Sequence, residues 1–135
     1  MKLIIKKKYD VTRSDKDLDT IADFIKFCAN KLGIEKDINV TIIGKHTENL
    51  GMSTGGYDTG TGDILAREFG RCLVDILRSI AHEMVHQRQD EKGKFDGVTE
   101  IPNIGGEIED EANAICGQLV KMYVAEQDAR WLYTY

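Results

Sequence analysis

The chain has 135 residues, 30% of them charged, with a net charge of −5 and a pI near 5.2. That acidic balance argues against a broad nucleic-acid footprint, and no apolar run approaches the ~18 residues of a membrane span. No linker, repeat or low-complexity stretch divides the sequence and no signal-peptide layout opens it, so residues 1–135 read as one domain able to bury a core.

Lys2 to Val11 reads as a first strand, with Leu3-Ile4-Ile5 giving way to a solvated run, Lys6-Lys7-Lys8. Asp15 to Leu32 is expected to be a helix: Leu18, Ile21, Phe24 and Ile25 share one side, and Gly33 supplies a stop. Ile38 to Ile43 alternates apolar and polar residues as a strand. His46, in Gly44-Lys45-His46, has no spacing that recommends it as a ligand and reads as solvated. Gly51 to Ala66 holds Gly55-Gly56, Gly60 and Gly62 around Tyr57, and reads as a hairpin whose outer strand borders a cleft. There is no GxxxxGK[ST] phosphate loop.

Arg71 to Arg88 contains no Gly or Pro, and Leu73, Leu77, Ile80, Ala81 and Met84 recur at helical spacing. A long polar loop, Asp90 to Gly106, leads to a second strong helix over Glu107 to Gln127. Its expected core stripe is Ile108, Ala112, Ile115, Leu119 and Met122. Cys28, Cys72 and Cys116 are odd in number and far apart. They read as buried free thiols of a reducing, cytoplasmic compartment, and none is placed to act as ligand or nucleophile.

The chemistry concentrates in Ala81-His82-Glu83-Met84-Val85-His86. Two histidines four apart on one helix face can share a single metal ion, and a glutamate beside the first can take a proton from water activated there. Helical phase sets Asp75, Ser79, His82 and His86 on a narrow polar stripe against the apolar face, as at the floor of a cleft. The extended pattern HExxHxxGxxH is absent, because Gln89 and Lys92 occupy its Gly and His positions. A third ligand must therefore come from elsewhere. Glu109 falls in line with Cys116, Val120 and Tyr123 inside the apolar arc of the second helix, where a carboxylate is costly unless paired or bound to metal. Glu109 is the expected third ligand, with Glu111, just outside the arc, as the alternative. Asn113, one turn on from Glu109, is a candidate to hydrogen-bond a ligand histidine's other ring nitrogen.

These two segments, His82-Glu83-Met84-Val85-His86 and Glu109-Asp110-Glu111-Ala112-Asn113, resemble the gluzincin arrangement. They are closest to the small ImmA/IrrE-like metallopeptidases, whose second motif resembles E-x-E-A-N. The resemblance covers about Ser53 to Val124. Where gluzincins often carry an Asp four residues after the ligand Glu, this chain has Asn113. The resemblance implies an extended peptide held against an edge strand, and cleavage of a specific regulatory protein in a phage or mobile-element setting.

The expected fold is α+β: a single zincin-like domain, with a small mixed sheet packed on helices and a metal site between two of them. The expected function is that of a zinc metallopeptidase, with one Zn2+ per chain on His82, His86 and Glu109. Glu83 is the expected general base. The oxyanion donor is left open among Tyr57, Tyr123 and a backbone N–H. The expected partner is a protein or peptide substrate, with no nucleic acid and no membrane. The short chain also suits a non-catalytic, zinc-stabilised interaction module or an accessory subunit of a larger assembly. A third reading is zinc-dependent hydrolysis of a small amide.

Overall fold

Ile38, Val40 and Ile42 alternate with Asn39 and Thr41, so one face of this strand is apolar and the other polar. In the computed structural model, which describes residues 1–45, 54–95 and 106–133, that strand lies inside a four-stranded mixed sheet. The strands are β1 (Leu3–Lys8), β2 (Ile38–Ile43), β3 (Gly55–Tyr57) and β4 (Asp63–Arg67), in the order β1-β2-β4-β3. β1, β2 and β4 run parallel, and β3 pairs antiparallel with β4 as the edge of the hairpin. Three helices complete the α+β domain: α1 (Asp15–Leu32), α2 (Leu73–Glu91) and α3 (Glu107–Glu126). A short 3-10 turn follows at Arg130–Tyr133.

Each boundary has a local cause. β1 stops at Lys8 rather than running to Val11, because Tyr9 and Asp10 take φ of 63° and 54°, which turn the chain out of the extended region. α1 begins where Ser14 accepts a hydrogen bond from the Asp17 N–H, and ends where Gly33, at φ 67°, donates to Ala29 and Asn30. α2 starts at Leu73, two residues later than Arg71. Arg71 instead folds its guanidinium back onto the Asp75 carbonyl and the Ser79 hydroxyl, at 3.0 and 2.7 Å. The helix runs on through Glu91, so the expected polar loop begins later than Asp90; residues 96–105 of it lie outside the described residues, as does His46.

α2 is the central helix, packed against α1, α3, β3 and β4. Val74, Leu77, Ile80, Ala81 and Met84 meet Ile64 and Ala66 of the sheet and Ala112, Leu119 and Val120 of α3 in one buried cluster. The buried stripe of α3 is rotated from the expected one: Cys116, Val120 and Tyr123 are buried, whereas Met122 is 38% exposed. On that stripe the Tyr123 ring packs edge-on against Phe24 and Phe27 of α1, with centroids 5.1 and 5.3 Å away. That rotation carries Glu109 toward α2. The three cysteines are free, with Cys28 and Cys116 buried and Cys72 half-buried. Among the described residues no helix is long and apolar enough to cross a membrane.

Candidate metal centre and active site

His82 and His86 stand one turn apart on α2, and Glu109 faces them from the first turn of α3. The two histidine Nε2 atoms are 3.2 Å apart. The Glu109 carboxylate lies 2.7 Å from Nε2 of His86 and 3.4 Å from Nε2 of His82. Donor atoms around a tetrahedral zinc, bound at about 2.0–2.1 Å, stand about 3.3 Å from one another, so this triangle has nearly the size a single ion requires. Its three corners are the sequence-expected ligands. The side chains of His82 and Glu109 keep 20% and 18% exposure and that of His86 only 4%, so the triangle sits at the edge of the core and opens on one side.

Glu111 goes elsewhere. Its carboxylate takes hydrogen bonds from Gln89 and Lys94 and pairs with Arg88 at 3.6 Å. The Gln89 hydrogen bond, then Lys94, hold its pKa below the ordinary carboxylate value. Asn113, one turn on from Glu109, lines the same cavity as His82. Burial, followed by the neighbouring His86, lowers the His82 pKa against the opposing pull of Glu109 and Asn113. A neutral ring is the form that ligates a metal.

Glu83 lies beside this triangle, 6% exposed, with a carboxylate oxygen 3.9 Å from Nε2 of His82. His82, Glu83 and His86 form a group that could itself hold a metal ion. Glu109 is nearer to both histidines than Glu83 is to His82, which makes Glu109 the better third ligand and leaves Glu83 unengaged. The Oε2 atom of Glu83 is buried with no hydrogen-bond partner among the described residues. Burial, and next the Glu109 charge, push its pKa up to about 8. A cation on Glu109 would reverse the second of these contributions.

A cavity of about 280 Å3 opens on Glu83 and His82, with walls from Arg78 of α2 and Asn113 and Cys116 of α3. Gly55 of the edge strand lines it as well. A Cβ at Gly55 would stand 2.9 Å from the Leu65 carbonyl, too close for any side chain, so glycine lets β3 lie this tightly on β4. The same Cβ would meet Cγ of Glu83 at an ordinary contact distance of 3.6 Å. The hairpin strand therefore borders the cavity, as its glycine pattern suggested. Arg78 and Gln89 were not singled out from sequence. Gln89 had a signal nonetheless, being three residues beyond His86 on the same helix face.

Both tyrosine hydroxyls proposed for the oxyanion donate to carboxylates outside this group. Tyr123 donates to Asp23 of α1 at 2.8 Å, and fourteen residues of helix put it about 21 Å along the axis from Glu109. Tyr57 donates to Asp90 at 2.6 Å. Burial, then the hydrogen bond to its carboxylate partner, raises the pKa of each phenol. Folded protein thus keeps these protons where unfolded chain releases them, near pH ~10. Their contribution to stability is complete below that pH and is lost as pH rises above it. In an alkaline absorbance titration, Tyr57 and Tyr123 should ionise only together with loss of the helical signal. Ionisation of all five tyrosines with the fold intact would contradict this.

Comparisons of the chain with protein-family models, with curated proteins and with solved structures find no match. The functional reading accordingly stands on the geometry of His82, Glu83, His86 and Glu109.

Proposed function

We propose that this chain is a zinc-dependent metallopeptidase with a zincin-like fold, resembling the gluzincins of ImmA/IrrE type. One observation carries the proposal. His82 Nε2, His86 Nε2 and a Glu109 carboxylate converge within 3.4 Å of one another, with an unpartnered buried Glu83 oxygen alongside. Zinc held by these three residues would supply a Lewis acid for a scissile carbonyl and for the water that attacks it.

The chain's own residues do the rest. Glu83 accepts a proton from the attacking water and passes it to the leaving amine nitrogen. Asn113, which lines the same cavity as His82, is the side chain placed to steady that ring. The β3 edge beside Gly55 offers backbone groups to an extended peptide, and the adjoining cavity receives a side chain near the bond to be cut. The substrate on this reading is a protein or peptide, of narrow range, in a reducing cytoplasmic setting that suits three free thiols. Incubation of zinc-loaded protein with candidate partner proteins, followed by mass spectrometry for new termini, tests the activity. Termini that also form with Glu83→Gln would assign the cleavage to a contaminant.

The two candidate ligand glutamates of α3, Glu109 and Glu111, separate cleanly in a competitive chelator titration. Glu109→Gln should weaken zinc binding strongly, whereas Glu111→Gln should leave it nearly unchanged, because an amide at position 111 still accepts from Gln89. The reverse ranking would transfer the ligand role to Glu111.

A further inference from the structure

Gln89 is 1% exposed, deeper than any of the residues proposed as ligands. A buried primary amide is stable only with its two donors and its oxygen satisfied. Its nitrogen lies 3.0 Å from the Ile108 carbonyl and 3.0 Å from the Glu111 carboxylate. Both neighbours are pure acceptors, so the amide cannot be turned round without setting oxygen against oxygen. Its oxygen is therefore committed to the opposite side, where it meets Nδ1 of His86 at 2.8 Å. An oxygen there accepts, so Nδ1 must carry the hydrogen. In the neutral ring Nε2 is then the nitrogen free to ligate a metal shared with His82 and Glu109; with no metal, the Glu109 oxygen 2.7 Å away competes to hold a proton on Nε2.

We infer that Gln89 is a positioning residue: oriented by Ile108 and Glu111, it imposes the Nδ1–H tautomer on His86 and aims Nε2 for metal binding. The inference rests on the proposed metal site for its purpose but not for its geometry. It also gives Glu111 a role. Glu111 is the outer anchor of a chain running Lys94, Glu111, Gln89, His86, which ties the first turns of α3 to the ligand on α2. The docking of α3 thus brings both Glu109 to the triangle and the acceptors that set His86.

The test begins with zinc-loaded protein labelled with 15N in its three histidines, using long-range imidazole correlation spectra and exchange of the ring N–H protons with solvent. His86 should show a metal-bound Nε2 and a slowly exchanging Nδ1–H held by the Gln89 oxygen. Gln89→Leu, similar in volume, should speed that exchange and weaken zinc binding about 10–100-fold. The cobalt-substituted variant should show an altered visible spectrum. Gln89→Met, as long as glutamine but without an amide, should show the same losses. A role in packing alone predicts wild-type affinity and Nδ1–H exchange for both variants. If Gln89→Leu does not fold, the wild-type spectrum and Gln89→Met still decide the matter. A wild-type His86 that binds zinc through Nδ1, or a folded Gln89→Leu or Gln89→Met protein with unchanged exchange and affinity, overturns the inference. Failure of wild-type protein to bind zinc would instead overturn the proposed metal site, a result distinct from zinc binding weakened only in the variants.

Discussion

Glu83→Gln should leave the fold and the bound zinc intact while cutting peptide cleavage by roughly 10²–10⁴-fold, the loss typical when a general base is removed. The expectation follows from where Glu83 sits. It neighbours His82 in sequence, yet its carboxylate stays 3.9 Å from that ring's Nε2 while Glu109 closes to 3.4 Å, so the amide removes no ligand. Glutamine keeps the shape of a side chain that is 6% exposed and packed under the Gly55 backbone. It cannot take a proton. Zinc content by elemental analysis, a thermal melt and a cleavage assay on one preparation give the three readings needed. If the chain were a non-catalytic, zinc-stabilised module, partner binding and any cellular phenotype would survive Glu83→Gln and fail with His82→Ala. A zinc-loaded Glu83→Gln protein that performs the biological task as well as wild type would end the peptidase reading.

The second large effect is loss of the metal itself. His82→Ala and His86→Ala should each abolish stoichiometric zinc, leaving a two-donor site in place of a three-donor one. The two substitutions should differ in what they do to the metal-free protein. His82 keeps 20% of its side chain exposed, and truncating it costs the fold little. The His86 side chain is 4% exposed, flanked by Phe95 and bonded to Gln89, so its removal leaves a void and a buried amide oxygen without a donor. His86→Ala should therefore melt lower than His82→Ala in the presence of chelator. Full zinc retention by both variants would refute the site, and equal melting would refute the asymmetry.

Much of this was legible in the chain before folding was considered. Helical spacing located α1 at its observed ends and α2 and α3 to within a few residues, because their apolar periodicity, Gly33 and the acidic first turn of α3 act locally. The phase argument also set Glu109 apart from Glu111, since the two differ by about 200° around the helix, and of the pair only Glu109 stands beside the histidines. Position on a single helix was sufficient for His82, Glu83 and His86, whose relation is fixed within one turn and needs no partner.

What tertiary structure alone decided involves residues brought together across long separations. No local pattern could tell that Tyr123 would turn its hydroxyl to Asp23, one hundred positions earlier, or that Met122 would be left exposed. Nor could it tell that the glycine of β3 would pass within contact of Glu83, or that Tyr57 would be claimed by Asp90. Gln89 is the clearest case. Its place on the histidine stripe was readable, but its function depends on which of its two polar ends faces His86. That is set by acceptors on α3, nineteen and twenty-two residues away, once α2 and α3 have packed. Sequence specifies which groups can donate and accept; only the docking of the helices specifies which of them meet.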